Sequence, residues 1–148
     1  MNNDQEILNF LFRHLGSIFD KDISNYHQTT SADLTLYEWF VTPHRVVGLD
    51  FHDFMINESA RRGTIFGVEN SDISGDTGTT RFDLSNLSIQ RYSDTAIACY
   101  TLLISSASKN GVSVTSHNES RVIVKLDNDW KVVHVHKSPA WPAPRTMP

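Results

Sequence analysis

The sequence predicts an α+β fold with N-terminal helices packed on one face of a curved antiparallel sheet. Two amphipathic helical patterns come first, four strand patterns fill the second half, and a tight-turn sequence joins the last two strands. Helices followed by consecutive alternating strands is the order of such layered folds. At 148 residues the chain suits one ordinary domain, read as 1–148. Two cores of about 70 residues each would be marginal.

Residues 4–19 carry Ile7, Leu8, Leu11, Leu15, Ile18 and Phe19 at spacings of three and four, the stripe of an amphipathic helix. Asn3 followed by Glu6 has the form of a capping box at its start. Asp20-Lys21-Asp22 interrupts the pattern, and a short helical turn runs on to Tyr26. From Leu34 the chain alternates, with Leu34, Leu36, Glu38 and Phe40 on one side and Thr35, Tyr37 and Trp39 on the other. Its β-branched and aromatic content suits a strand, and Thr42-Pro43 is read as its end. A second long helix is expected from about Leu49 to Arg62, with Phe51, Phe54 and Met55 on its stripe.

Residues 63–80 hold four of the chain's seven glycines among Ser, Thr, Asn and Asp, with no Lys or Arg, and read as a long mobile loop. Strands are expected at Phe82–Gln90, Thr95–Ser106, Val112–Leu126 and Trp130–Lys137, with Asp127-Asn128-Asp129 as the last turn. The tail Ser138-Pro139-Ala140-Trp141-Pro142-Ala143-Pro144 is expected to stop the ladder, because proline donates no backbone hydrogen bond.

Composition narrows the function. Thirteen Lys and Arg against 17 Asp and Glu, a net −4, is not the basic surplus of a general nucleic-acid binder. Apolar runs fall far short of the ~18 residues of a membrane span. Met1-Asn2-Asn3-Asp4-Gln5-Glu6 lacks the basic start of a secretory signal peptide. The single cysteine, Cys99, excludes an intrachain disulfide and a Cys-based zinc ribbon, and reads as a buried inert thiol. These features lead us to expect a cytoplasmic protein that binds neither nucleic acid nor membrane and needs no cofactor.

Two segments carry a resemblance. Gly48-Leu49-Asp50-Phe51-His52 is similar to a run in the association (hub) domain of calcium/calmodulin-dependent protein kinase II. Glu119-Ser120-Arg121-Val122, followed by Asp127, Trp130, Val133-His134-Val135-His136 and Ser138, resembles that domain's closing hairpin, and Tyr26, Thr35 and Glu38 match between Asp22 and His52. The resemblance spans nearly the whole chain. It implies the nuclear-transport-factor-2-like (cystatin-like) fold, a cone of curved sheet closed by helices around a pocket. The sequence shows no kinase Gly-rich loop with its lysine, no His-Arg-Asp loop and no Asp-Phe-Gly, so a stand-alone relative without kinase chemistry is expected. It departs from the hub in an insertion within 63–80 and in Leu102, where the hub carries an arginine.

An arginine facing the inside of a cone must be paired or hold an anion, since an isolated buried charge is prohibitive. Arg121, mid-strand beside Val122 to Val124, is the foremost candidate. By resemblance its position lines a pocket that accepts small carboxylates, with Arg62, or Arg61 one residue away, as the second arginine. Two readings stay open: an anion pocket, or an internal salt bridge to Glu38 or Glu119. Tyr100 and His52 are expected at the pocket mouth.

His134 and His136 share a face, but a metal needs a third ligand such as His52, and a polar patch on the sheet or at an oligomer contact is preferred. Asn70, Asp72, Ser74 and Asp76 around Gly75 imitate half a calcium loop, yet Arg81 stands where a bidentate glutamate belongs, so this is read as a solvated loop. Asp50 with His52, Glu38 and Tyr100 could supply acid–base parts, although Asp50 and His52, two apart on a helix, face different ways.

The expected function is a non-catalytic oligomerising pocket domain. It would form a homodimer or larger symmetric oligomer through the sheet and bind a small carboxylate or a partner. The alternative is a small SnoaL-like or ketosteroid-isomerase-like isomerase, hydratase or cyclase with an acid–base residue in the cone.

Overall fold

The structure, a computed structural model, describes residues 2–50, 52–54 and 79–140. Phe51, Met55, the expected helix beyond 54, the insertion up to residue 78 and the tail from 141 lie outside the described residues.

Helices α1 (Asn2–Phe19) and α2 (Ile23–Thr29) precede β1 (Thr30–Glu38), β2 (Thr42–Val47), β3 (Thr79–Tyr92), β4 (Thr95–Ser108), β5 (Gly111–Leu126) and β6 (Asp129–Pro139). The six strands form one sheet in the order β2-β1-β6-β5-β4-β3. Among the described residues no helix is long and apolar enough to cross a membrane.

The predicted stripe of α1 forms its inner face: Ile7, Leu11 and Leu15 are buried with Tyr26 of α2, Ala96, Ala98, Leu102 and Ile104 of β4, and Ile123 of β5. His14 and Ser17 are buried on the same helix. The helix starts at Asn2, one residue before the expected cap, and the Glu6 carboxylate accepts from Trp130 Nε1 at 2.6 Å. That contact ties the first helix to the last strand.

β4 keeps strict alternation, with Ala96, Ala98, Tyr100, Leu102 and Ile104 inward and Ile97, Cys99, Thr101 and Leu103 outward. β5 follows it, burying His117, Glu119, Arg121 and Ile123. β6 does not. Val122 pairs with His134 but Ile123 pairs with Val132, so Val133 is an extra residue. Such a bulge shifts which side chains face each side. Trp130 and Val132 before it, and Val135 and Lys137 after it, are all buried.

Four expectations are corrected. Thr42-Pro43 does not end the strand region: it opens β2, and because β2 is an edge strand the missing proline donor is tolerated. Pro139 does not stop the ladder before itself; it pairs with His117 at the end of β6, beyond β1, whose ladder stops at the Glu38–Lys137 pair. Thr79 and Thr80, expected in the loop, begin β3. The sheet is not wholly antiparallel, because β1 returns parallel to β6 after the chain has packed its helices.

Candidate functional site

The polar residues of the inner face lie on one cross-strand row. Tyr100 of β4 pairs with Glu119 of β5, Glu119 with Lys137 of β6, and Lys137 with Glu38 of β1. Arg121, one inward position along β5, reaches back to this row. It is 1% exposed, and its Nη1 donates to Tyr100 Oη at 2.6 Å and to Glu119 Oε1. Tyr100 donates to the same Glu119 oxygen at 2.7 Å, and His117 Nε2 lies 2.6 Å from the other. Lys137 Nζ sits 2.7 Å from Glu38 Oε2 and 3.8 Å from Glu119 Oε2.

His52 is delivered by the helical turn at 49–50 and 52–54, which follows Gly48. Gly48 has φ +93° and donates its N–H to the Leu34 carbonyl at 2.7 Å, a conformation that glycine adopts without strain. His52 Nδ1 then meets the Tyr26 hydroxyl, and Nε2 lies 3.8 Å from Glu38 Oε1.

Two cations, Arg121 and Lys137, thus face two carboxylates, Glu38 and Glu119. The carboxylates titrate apart. Burial pushes Glu119 up, but the Arg121 and Lys137 charges outweigh it and hold the carboxyl well below its ordinary range. Burial also pushes Glu38 up, and there Lys137 offsets only part of the effect. The difference follows from geometry, since Arg121 pairs directly with Glu119 and acts on Glu38 only weakly, behind Lys137. Burial pushes the Tyr100 hydroxyl well up. His52 and His14 are held well below the ordinary histidine range, first by burial and then by nearby cations.

Of the predicted site residues, Arg121, Tyr100, Glu38 and His52 come together in this network. Arg62 and its alternative Arg61 lie outside the described residues, as does the calcium-like loop from Asn70 to Asp76. Tyr100 and His52 are buried rather than at a mouth. Arg121 is ion-paired internally with Glu119, and Glu38 pairs with Lys137 instead. Leu102 packs in the core.

His134 and His136 face the other side of the sheet, against Tyr37, with His134 Nδ1 2.8 Å from Thr35 Oγ1. His52 is on the inner side, so the three histidines do not converge. Asp50 is exposed while His52 is buried. A separate surface cleft of about 450 Å³ runs between His27, Thr30, Leu49, Asp127, Asp129 and Lys131, and none of the predicted site residues lines it.

Sequence reasoning missed His117, Lys137 and Tyr26. His117 was legible, being two and four residues from Glu119 and Arg121 on an alternating strand. Lys137 was not, because the bulge that turns it inward has no local sequence mark.

A family model for the calcium/calmodulin dependent protein kinase II association domain matches residues 3–141. Among solved structures, the association domain of C. elegans CaMKII is similar at TM-score 0.74 and 23% identity, over 93% of this chain and 95% of that one. The Chlamydamonas reinhardtii CamKII hub homology domain is similar at TM-score 0.74 and 21% identity, over 94% and 99%. An NTF2-like protein from Cytophaga hutchinsonii is similar at TM-score 0.69 and 16% identity, over 94% and 99%. No curated protein matches the chain.

Proposed function

Because the chain belongs to the calcium/calmodulin-dependent protein kinase II association-domain family, we propose that it is a non-catalytic, self-assembling domain whose inner face takes a small organic carboxylate. Self-assembly is supported by the outer face of the sheet. The described helices pack on the inner face, while Ile97, Leu103, Val122 and Val124 stay half-buried on the outer one. An apolar sheet face of that kind is normally covered by a second subunit.

The experiment is light scattering on wild type and on Ile97→Asp combined with Val122→Asp, cross-strand neighbours on that face. Wild type should weigh at least twice 16.8 kDa and the variant should fall to the monomer mass. A wild-type mass near that of one chain at micromolar concentration would refute the assembly.

Carboxylate binding is supported by one donor. The buried Nε of Arg121 has no hydrogen-bond partner among the described residues, while Nη1 is committed to Glu119 and Tyr100. A guanidinium edge suits a carboxylate, which it can grip through parallel hydrogen bonds. The four described charges balance, so weak binding is expected. Arg121→Lys keeps the charge and loses the fork. In calorimetry with small carboxylic acids it should bind about tenfold more weakly than wild type, the ~1.5 kcal/mol of a charged hydrogen bond. Equal affinity, or no acid bound by wild type, would reduce Arg121 to a structural ion-pair residue.

Acid–base catalysis in the cone is the second reading. Its support is the raised Glu38 carboxyl beside His52. It ranks second because Lys137 already holds Glu38 Oε2.

A further inference from the structure

We propose that residues 111–116, the free end of β5, pair antiparallel with the same segment of a second copy, continuing the sheet from one protomer into the next. This rests on the self-assembly reading but uses a different surface, so the two can fail separately.

The observation is an open ladder. On one side, Gly111 to Ser116 pair with Ser108 to Leu103 of β4. On the other, β6 reaches only as far as the His117–Pro139 pair, so no strand flanks these six residues among the described ones. All six are exposed, with Val112 at 73% and Val114 at 59%. Soluble proteins guard such edges with lysine, proline, bulges or inward charges. Val112-Ser113-Val114-Thr115-Ser116 has no charge and no proline, and its β-branched residues favour extended pairing.

A second copy fits this edge on charge and on symmetry. Chains of net −4 repel over most of their surfaces, but an uncharged segment meets itself without like-charge contacts. Pairing centred on Val114 is two-fold symmetric. It sets Val114 opposite Val114 and Val112 opposite Ser116, with all four valines on the outer face beside Leu103 and Ala107, the β4 partners of Ser116 and Val112. A protomer with one self-complementary contact on its sheet face and another on its edge can build assemblies beyond the dimer.

The test is oxidation of Val114→Cys in the full chain with Cys99→Ser. Directly opposed residues hold their Cβ atoms about 4.5–5.5 Å apart, close enough for a disulfide after slight adjustment. The control is Tyr92→Cys in the same background, a position 60% exposed at the end of β3. A preformed contact raises the effective thiol concentration, so Val114→Cys should form a covalent dimer at least about tenfold faster than the control. The crosslink should persist when Ile97→Asp and Val122→Asp are added, because it does not use the sheet face. Rates equal to the control overturn the proposal, and that is the result expected if the chain's own C-terminal residues or a foreign strand cover the edge instead.

Discussion

Glu119→Ala should lower the midpoint of thermal unfolding by about 10 °C or more. Glu119 is fully buried and holds Arg121 directly and Lys137 at 3.8 Å. Removing one partner of a buried pair leaves a charge without compensation, which costs about 3–5 kcal/mol. In a chain of this size each kcal/mol is worth roughly 2–4 °C or somewhat more. The Tyr100 hydroxyl and His117 would lose their acceptor as well.

The double variant Glu119→Leu with Arg121→Met should recover much of the loss, because an apolar pair of similar volume often replaces a buried ion pair at little cost. Arg81→Ala is the surface comparison: its partner Asp83 is at 2.8 Å, but both side chains are solvated, and no measurable change is expected. Differential scanning calorimetry decides it. A Glu119→Ala midpoint within a degree or two of wild type would mean that the buried row does not hold the fold together.

Acidification below neutral pH should destabilise the protein before carboxylates of ordinary acidity titrate. His14 is buried, stacked between Phe10 and Tyr26, with Nδ1 2.9 Å from Thr29 Oγ1. His52 is buried between Tyr26 and Glu38. Both are held well below the ordinary histidine range, so both are neutral in the fold and charge on unfolding. Below about pH 6.5 the unfolded chain therefore binds more protons than the folded one. Stability must fall as pH falls, by up to about 1.4 kcal/mol per pH unit for each histidine.

Glu38 acts in the opposite sense. Its raised carboxyl keeps a proton in the fold where the unfolded chain has lost it, which returns part of the stability as pH falls toward the ordinary carboxylate range. Glu119, held low, adds its own loss below that range. Denaturant unfolding between pH 7.5 and 5 should show the decline, and His14→Gln and His52→Gln should each remove about one proton from its slope. A slope unchanged in both variants would show that neither histidine is buried neutral.

Much of the site was legible before the fold was known. Arg121 in an apolar alternating strand had to be paired or bound, and Glu119 two residues earlier was one of its two expected partners. Glu38 shared a face with Leu34 and Leu36, and the structure keeps all three buried. Which glutamate meets Arg121 was not legible, because Glu38 and Glu119 lie on strands that β6 separates. The choice falls to Lys137, which stands between them.

The sequence by itself determined that helices precede the long strands, the buried stripe of α1, and the shared face of Leu34, Leu36 and Glu38 in β1. These are local properties: a repeat of two or of 3.6 residues fixes a face wherever the element docks. Only the tertiary structure decided that β2 exists as an edge strand and that β1 lies parallel beside β6. It also decided that the row Tyr100–Glu119–Lys137–Glu38 closes across four strands, its last hydrogen bond joining residues 99 positions apart. Strand register is set by partners distant in the chain, and one extra residue in a ladder exchanges the two faces of everything beyond it. Val133 is that residue here. Without the bulge Lys137 would turn to the outer face and His134 and His136 to the inner one, and Glu38 would lose the cation at its side.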